Sequence, residues 1–332
     1  TLDMGLRSLN NTNSSFEDPY ANTGTLAPYV PPPIDWGGDR GIFMGGWDDT
    51  GGDATTDRID YISIPTGGNA TDFGNTYNNV IETPAGCSNG SRGIAMGGGW
   101  QASRYNYIQY VTISTPGNAQ DFGDLEGVKT DPAACSNGSR GICAGGNDGS
   151  NMNIIEYITI ANTGNATDFG DLTQSRERAG GISNSTRGLF CGGNDGGQVN
   201  IIDYITIATT GNATDFGDLT EALGIAQGSS DESRGVIGGG RNTSNDPVNN
   251  IQYVTIDTTG NATDFGDLPL ARYGLGSNGN GDRATFAGGY KSSGGAGYVN
   301  QIEYVIIRTT GNAIDFGDLT LARRSMASCS GD

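Results

Sequence analysis

Two ionisable sets recur six times along the chain. Arg40, Arg92, Arg140, Arg187, Arg234 and Arg283 each open a short apolar run that ends in Gly-Gly. Asp72, Asp121, Asp168, Asp215, Asp264 and Asp315 each fall in a block reading, with small changes, GNATDFGDL. One chemistry open to such a set is a ring-shaped binding site. A substrate site needs local asymmetry, however, and identical positions in every copy are what a structural pairing produces. The expected role is an Arg fork satisfying a carboxylate or loop carbonyls in each copy. The paired acids of DFGD could also offer oxygen ligands to Ca²⁺. They are separated by Phe and Gly, lack the dense ligand spacing of a DxDxDG loop, and give way to Asn75 in the first copy. Turn or cap duty is therefore the expectation for these Asp. The loop WDDTGGD at 47–53 and the NDG triplets beginning at Asn147 and Asn194 are weaker cation candidates.

Other catalytic chemistry has little to work with. The chain contains no His, the commonest general base and transition-metal ligand. Its five cysteines, Cys87, Cys135, Cys143, Cys191 and Cys329, have no zinc-like spacing, and Cys87, Cys135 and Cys329 recur at one place in the repeat. Small buried apolar residues are expected there. These features predict a protein that is not an enzyme and needs no cofactor, bound Ca²⁺ being a weak alternative.

Partners are bounded by charge. With 18 basic against 37 acidic residues the net charge is −19, which argues against nucleic-acid binding. No apolar run approaches the roughly 20 residues that span a bilayer, and the start shows no signal-peptide pattern, so a soluble protein is expected. The chain begins with Thr1 rather than Met, as expected of a processed protein or a piece of a longer one.

The elements that position these residues follow from the repeat itself. Tyr61, Tyr110, Tyr157, Tyr204, Tyr253 and Tyr304 recur at steps of 47 to 51, and Phe73, Phe122, Phe169, Phe216, Phe265 and Phe316 each follow twelve residues later. That period suits propeller blades rather than helical repeats. Each period holds an apolar strand closed by Gly-Gly, as in RGIFMGG at 40–46, and a Tyr strand apolar on both faces, as in IEYITI at 155–160. A Gly-Asn turn, a short Phe strand and a segment such as AGCSNG at 85–90 complete it. Four strands per period and six periods predict an all-β, six-bladed propeller of four-stranded antiparallel blades over 37–332. The blades are expected over about 37–84, 85–132, 133–179, 180–226, 227–275 and 276–323. The chain stops in the segment that elsewhere precedes an Arg-Gly strand, so residues 324–332 are expected to complete the first blade.

Residues 1–36 stand outside the repeats and contain Pro31, Pro32 and Pro33. An extended arm is expected. Leu6, Leu9, Phe16, Tyr20, Tyr29 and Trp36 would let it dock on the propeller, on another structural protein or on a second copy of the chain. A disordered terminus is the alternative.

The order of a Gly-Gly strand, a Tyr strand, an aromatic strand and then Leu and Arg resembles the kelch propeller; FAGG at 286–289, Tyr304, Phe316, Leu321 and Arg323 illustrate it. Phe stands where kelch blades commonly carry Trp. The NATDFGDL block is similar to repeats in tail and other virion proteins of marine phages. These resemblances imply a structural or binding module in a virion, or an extracellular one. Galactose-oxidase-type copper chemistry would imply His ligands, and sialidase-type propellers would imply an aspartate box, neither of which this chain has.

Function is expected where the repeat fails. Between the second Gly and the Tyr lie 14, 11, 10, 10, 12 and 14 residues, and their contents diverge from copy to copy. Loops that vary over a rigid scaffold are the usual place for recognition. The candidates are Trp47, Asp48, Asp49, Trp100, Tyr105, Tyr107, Asn147, Asp148, Asn194, Asp195, Arg241, Tyr290, Lys291 and Tyr298. Their aromatics offer flat surfaces to a host-surface glycan or to a protein, or simply cover the blade ends. A phage tail, fibre or decoration component is the leading expectation, a secreted or cell-surface lectin-like propeller the alternative, and an enzyme with carboxylate or Ca²⁺ chemistry the third.

Overall fold

The Arg-Gly runs are strands buried on both faces, because each lies between neighbouring sheets. Arg40–Met44 has only its Arg partly exposed, and Arg92–Met96, Arg140–Ala144, Arg187–Cys191, Arg234–Gly238 and Arg283–Ala287 repeat that pattern. In this computed structural model, residues 38–48, 54–77, 82–100, 103–292 and 297–332 are described. The arm residues Leu6 to Trp36, and Asp49, lie outside them.

Each Arg-Gly strand is second in a four-stranded antiparallel sheet. The inner strands are Ala85–Ser88, Ala133–Ser136, Gly180–Ser183, Gln227–Ser230, Gly276–Gly279 and Ala327–Gly331. The Tyr strands come third and the Phe strands, Thr71–Asn75 to Ile314–Asp318, lie outermost. The inner strands contact one another in a closed cycle, with Ala327–Gly331 touching both Ala85–Ser88 and Gly276–Gly279. That last strand pairs with Arg40–Met44, Arg40 opposite Gly331 and Met44 opposite Ala327. The fold is a six-bladed β-propeller closed without a covalent bond, as the repeat predicts.

The core is six slabs, one between each pair of neighbouring blades. Ile42, Met44 and Ile59 of the first blade meet Ala95, Val111 and Ile113 of the second, and Phe43, Ile62 and Ile64 meet Ala287, Ile302 and Phe316 of the sixth. Burying such side chains contributes about 1.5–3 kcal/mol each.

The repeated block is the clamp across each slab. The Asn of GNA accepts the N–H of the residue ending FGD or FGN in the preceding blade, at 3.0–3.1 Å in all six copies. The adjacent Ala donates to that residue's carbonyl at 2.7–2.8 Å. The Gly of DFG has no room for a side chain: a Cβ on Gly74, Gly123 or Gly170 would lie 2.4–2.5 Å from the carbonyl oxygen of the next blade's turn Gly. Within the blade, the outer strand bulges at Phe, which leaves its ring edge-on to the Tyr at 5.9–6.1 Å.

The six-fold Arg completes that stack. Each guanidinium lies 4.2–4.9 Å over its own blade's Tyr ring. Its Nη1 donates to a carbonyl closing the third strand of the next blade, at 2.8–3.1 Å. Among the described residues these Arg form no ion pair with Asp72, Asp121, Asp168, Asp215, Asp264 or Asp315, which are exposed on the outer strands. Loop carbonyls, rather than carboxylates, take the Arg. The Asp sit within strands, not in turns or caps.

Charges are instead buried at a place the block does not mark. Arg323–Asp60 (2.7 Å), Lys129–Glu156, Arg176–Asp203 (2.8 Å) and Arg272–Glu303 pair a fourth-to-inner crossover with the residue before Tyr in the following blade. The two remaining blades carry Gln109 and Gln252 there, and each Gln accepts the N–H of Tyr77 or Thr220 from the preceding crossover. Acid and amide alike fasten a crossover to the next blade.

Candidate functional site

The loops between second and third strands share one face with the fourth-to-inner crossovers. Backbone bridges join the two sets in every blade: Trp47 with Arg324, Glu82 with Gly99, Thr130 with Asn147, Glu177 with Asn194, Gly224 with Arg241, and Tyr273 with Tyr290. The next residue of each crossover carries a positive φ: Thr83, Asp131, Arg178, Ile225 and Ser325 at 54–62° and Gly274 at 69°. Such a conformation is costly for side-chain-bearing residues and an outlier for β-branched Thr and Ile.

The six are held in place by one another. Asp131 donates its N–H to Thr83 O (3.1 Å), Arg178 to Asp131 O (2.8 Å) and Ile225 to Arg178 O (2.9 Å). Gly274 donates to Ile225 O (3.3 Å), Ser325 to Gly274 O (2.7 Å) and Thr83 to Ser325 O (3.1 Å). A closed hydrogen-bonded ring therefore encircles the axis, its backbone six-fold and its side chains all different.

Above the ring lies an axial pocket of about 440 Å³ lined from all six blades. Beneath it the channel shrinks to about 60 Å³, lined by small residues such as Gly86, Ala134, Gly181, Gly228, Ser277 and Ser328. A Cβ on Gly181 would lie 2.0 Å from Ala134 O, so close strand approach is what narrows it. That inner cavity has room for little beyond water.

Its two halves differ in chemistry. On one side, Arg178 pairs with Asp131 and Glu177 at 3.2 Å each, and Arg104 donates to Asn147 Oδ1 at 2.9 Å. Burial raises the Glu177 carboxyl above its ordinary value, with Arg178 opposing. Burial works against the Arg178 charge, but Asp131 and Glu177 outweigh it and hold its pKa above the usual value. On the other side, Arg241 stacks 3.7 Å from the Tyr273 ring centre, and Arg324 donates to the Tyr273 hydroxyl at 2.9 Å. Arg324 also lies 5.4–5.8 Å from the centres of Trp47, Tyr273, Tyr290 and Tyr298. Neither of these Arg has an ion-pair partner among the described residues, and the Nε of each is buried without a hydrogen-bond partner there.

Of the sequence candidates, Trp47 and Arg241 line the pocket, and Tyr290 and Tyr298 stand behind them. Tyr290 packs against Tyr273 at 5.6 Å and Tyr298 at 5.3 Å. Asn147 orients Arg104 and accepts the Gly149 N–H, and Asn194 accepts that of Gly196. Asp148 caps Ser150 N, and Asp195 accepts from Gln174 on the exposed loop. Asp48 is buried, its backbone paired with Arg323, and Lys291 pairs with Gly297. Tyr105 and Tyr107 stack on each other at 5.1 Å outside the pocket lining, and Trp100 pairs with Ser103 through its backbone. No group of three or more Cys, Asp or Glu among the described residues could hold a metal ion.

Sequence reasoning missed Arg104, Asp131, Arg178, Ile225, Tyr273 and Arg324. The crossovers were the overlooked half of this face. Their signal was present: the residue two before each inner strand runs Thr, Asp, Arg, Ile, Gly, Ser, a run of unlike side chains inside a near-perfect repeat. No protein-family model matches the chain, and no curated protein matches it.

Proposed function

We propose that this propeller is a non-enzymatic binding module that seats a saccharide in the axial pocket of its variable face. One observation carries the reading: an axial pocket combines an aromatic wall, Trp47 with Tyr273, and charged hydrogen-bond donors, Arg104, Arg178, Arg241 and Arg324, around a hydrogen-bonded ring. Aromatic faces suit the apolar face of a sugar ring, and fixed donors suit its oxygens. Of the two acids that line the pocket, Glu82 and Asp131, the second is engaged by Arg178, which favours binding over turnover.

In this reading the blades are kelch-like and the module serves a virion, fixed to its assembly through residues 1–36 and presenting the pocket to a host-surface glycan. That placement carries forward the expectation drawn from the NATDFGDL block in the sequence. A glycan array probed with the full chain and with Trp47→Ala tests the binding. Selective saccharide binding that Trp47→Ala abolishes supports it, and binding unaffected by the substitution refutes the site. Co-purification with particles that depends on residues 1–36 tests the placement.

A further inference from the structure

We infer that the saccharide bound in the axial pocket is an acidic one, carrying a carboxylate or a sulfate ester that lies between Arg241 and Arg324. This rests on the saccharide reading above and adds to it the charge and orientation of the ligand.

The chain has 18 basic residues and a net charge of −19, yet Arg104, Arg178, Arg241 and Arg324 all line one pocket, against the carboxylates of Glu82 and Asp131. The cations also differ in their engagement. Arg178 is held by two carboxylates and Arg104 by an amide. Arg241 and Arg324 flank Tyr273, one over its face and the other at its hydroxyl, with no acid paired to either among the described residues. A guanidinium stacked on aromatic rings keeps its in-plane N–H groups directed outward, which is how Arg presents a fork to a planar anion. Partly buried cations without counter-ions are costly, and an anionic ligand removes that cost. The same rings that hold the guanidiniums supply the flat surface a sugar needs. The net charge of −19 opposes any diffuse electrostatic attraction for anions, so selectivity must come from these two side chains at short range.

Calorimetric titration of the full chain with glucuronate, glucose 6-sulfate, glucose and inorganic sulfate tests the inference. Either or both acidic sugars should bind at least about tenfold more tightly than glucose, and the two identify which anion is preferred. Arg241→Gln should reduce that preference to less than about threefold, and Arg324→Lys should weaken it while retaining part. Far-UV circular dichroism and the melting temperature establish that each variant is folded; Arg241→Gln serves if Arg324→Lys is not. Glucose binding as tightly as the acidic sugars overturns the inference and leaves the saccharide reading standing. Sulfate binding with no sugar binding, or no binding by any of the four, overturns both.

Discussion

At Arg176 and Asp203 the molecule contains its own control experiment. Four blades pair a buried cation with the acid before Tyr, and where the acid is Gln109 or Gln252 the corresponding crossover position is Ile81 or Leu223 in the sequence. Charge is present on both sides or on neither. Removing one partner strands the other in a place it cannot be solvated. Arg176→Leu should therefore cost about 3–5 kcal/mol in urea denaturation, and adding Asp203→Gln should recover most of it by recreating the Leu223–Gln252 arrangement. A double variant no more stable than the single one contradicts this account. The cysteines make a second residue-scale prediction. Burial pushes the thiols of Cys143, Cys191 and Cys329 up to about 12 from an ordinary value of 9.0. The folded state thus keeps protons that the unfolded chain releases, so this stability is complete below about pH 9 and lost as pH climbs toward 12. The urea midpoint should fall between pH 8 and pH 10.5, and native thiols should resist a disulfide reagent at pH 8 until the chain is unfolded.

Elements explain both what repeats and what does not. The Asn-Ala turn grips the preceding outer strand, and Gly170 is required because a Cβ would lie 2.5 Å from Gly211 O. Gly170→Ala should destabilise by more than about 2 kcal/mol, the strained backbone and the displaced turn acting together. This part was legible in the sequence because six blades make the same contact through the same residues. The site was not, since its crossover residues share a backbone conformation without sharing a residue type. Thr83, Asp131 and Ile225 take a positive φ without glycine to announce it, and the hydrogen-bonded ring that holds them joins one blade's crossover to the next and, at closure, Ser325 to Thr83. Nor does a six-fold Arg indicate by itself whether it faces a carboxylate or a carbonyl. If the ring imposes that conformation, Ile225→Gly should relieve strain and stabilise by up to about 1 kcal/mol in thermal unfolding. A loss of stability would mean that Ile225 packing outweighs its strain.

For the whole molecule, closure is what turns six similar sheets into one asymmetric pocket. Ala327–Gly331 pairs with Arg40–Met44 and abuts the second blade, so the ring depends on a joint between the two ends of the repeat array. A chain lacking residues 327–332 should lose a single cooperative transition and unfold in stages, as open arrays of nearest-neighbour units do. Closure also places Arg324 and Ser325 beside Trp47 and Tyr273, bringing together residues more than 200 positions apart in the chain. In the proposed function, recognition happens there, on the axis of the variable face. A crystal structure of the chain soaked with glucuronate, or with whichever saccharide binds best, tests it most directly. The sugar ring should lie against Trp47 and Tyr273 with its acid group between Arg241 and Arg324. Density for the ligand on the outer strands, or on the opposite face among the Asn-Ala turns, would contradict it.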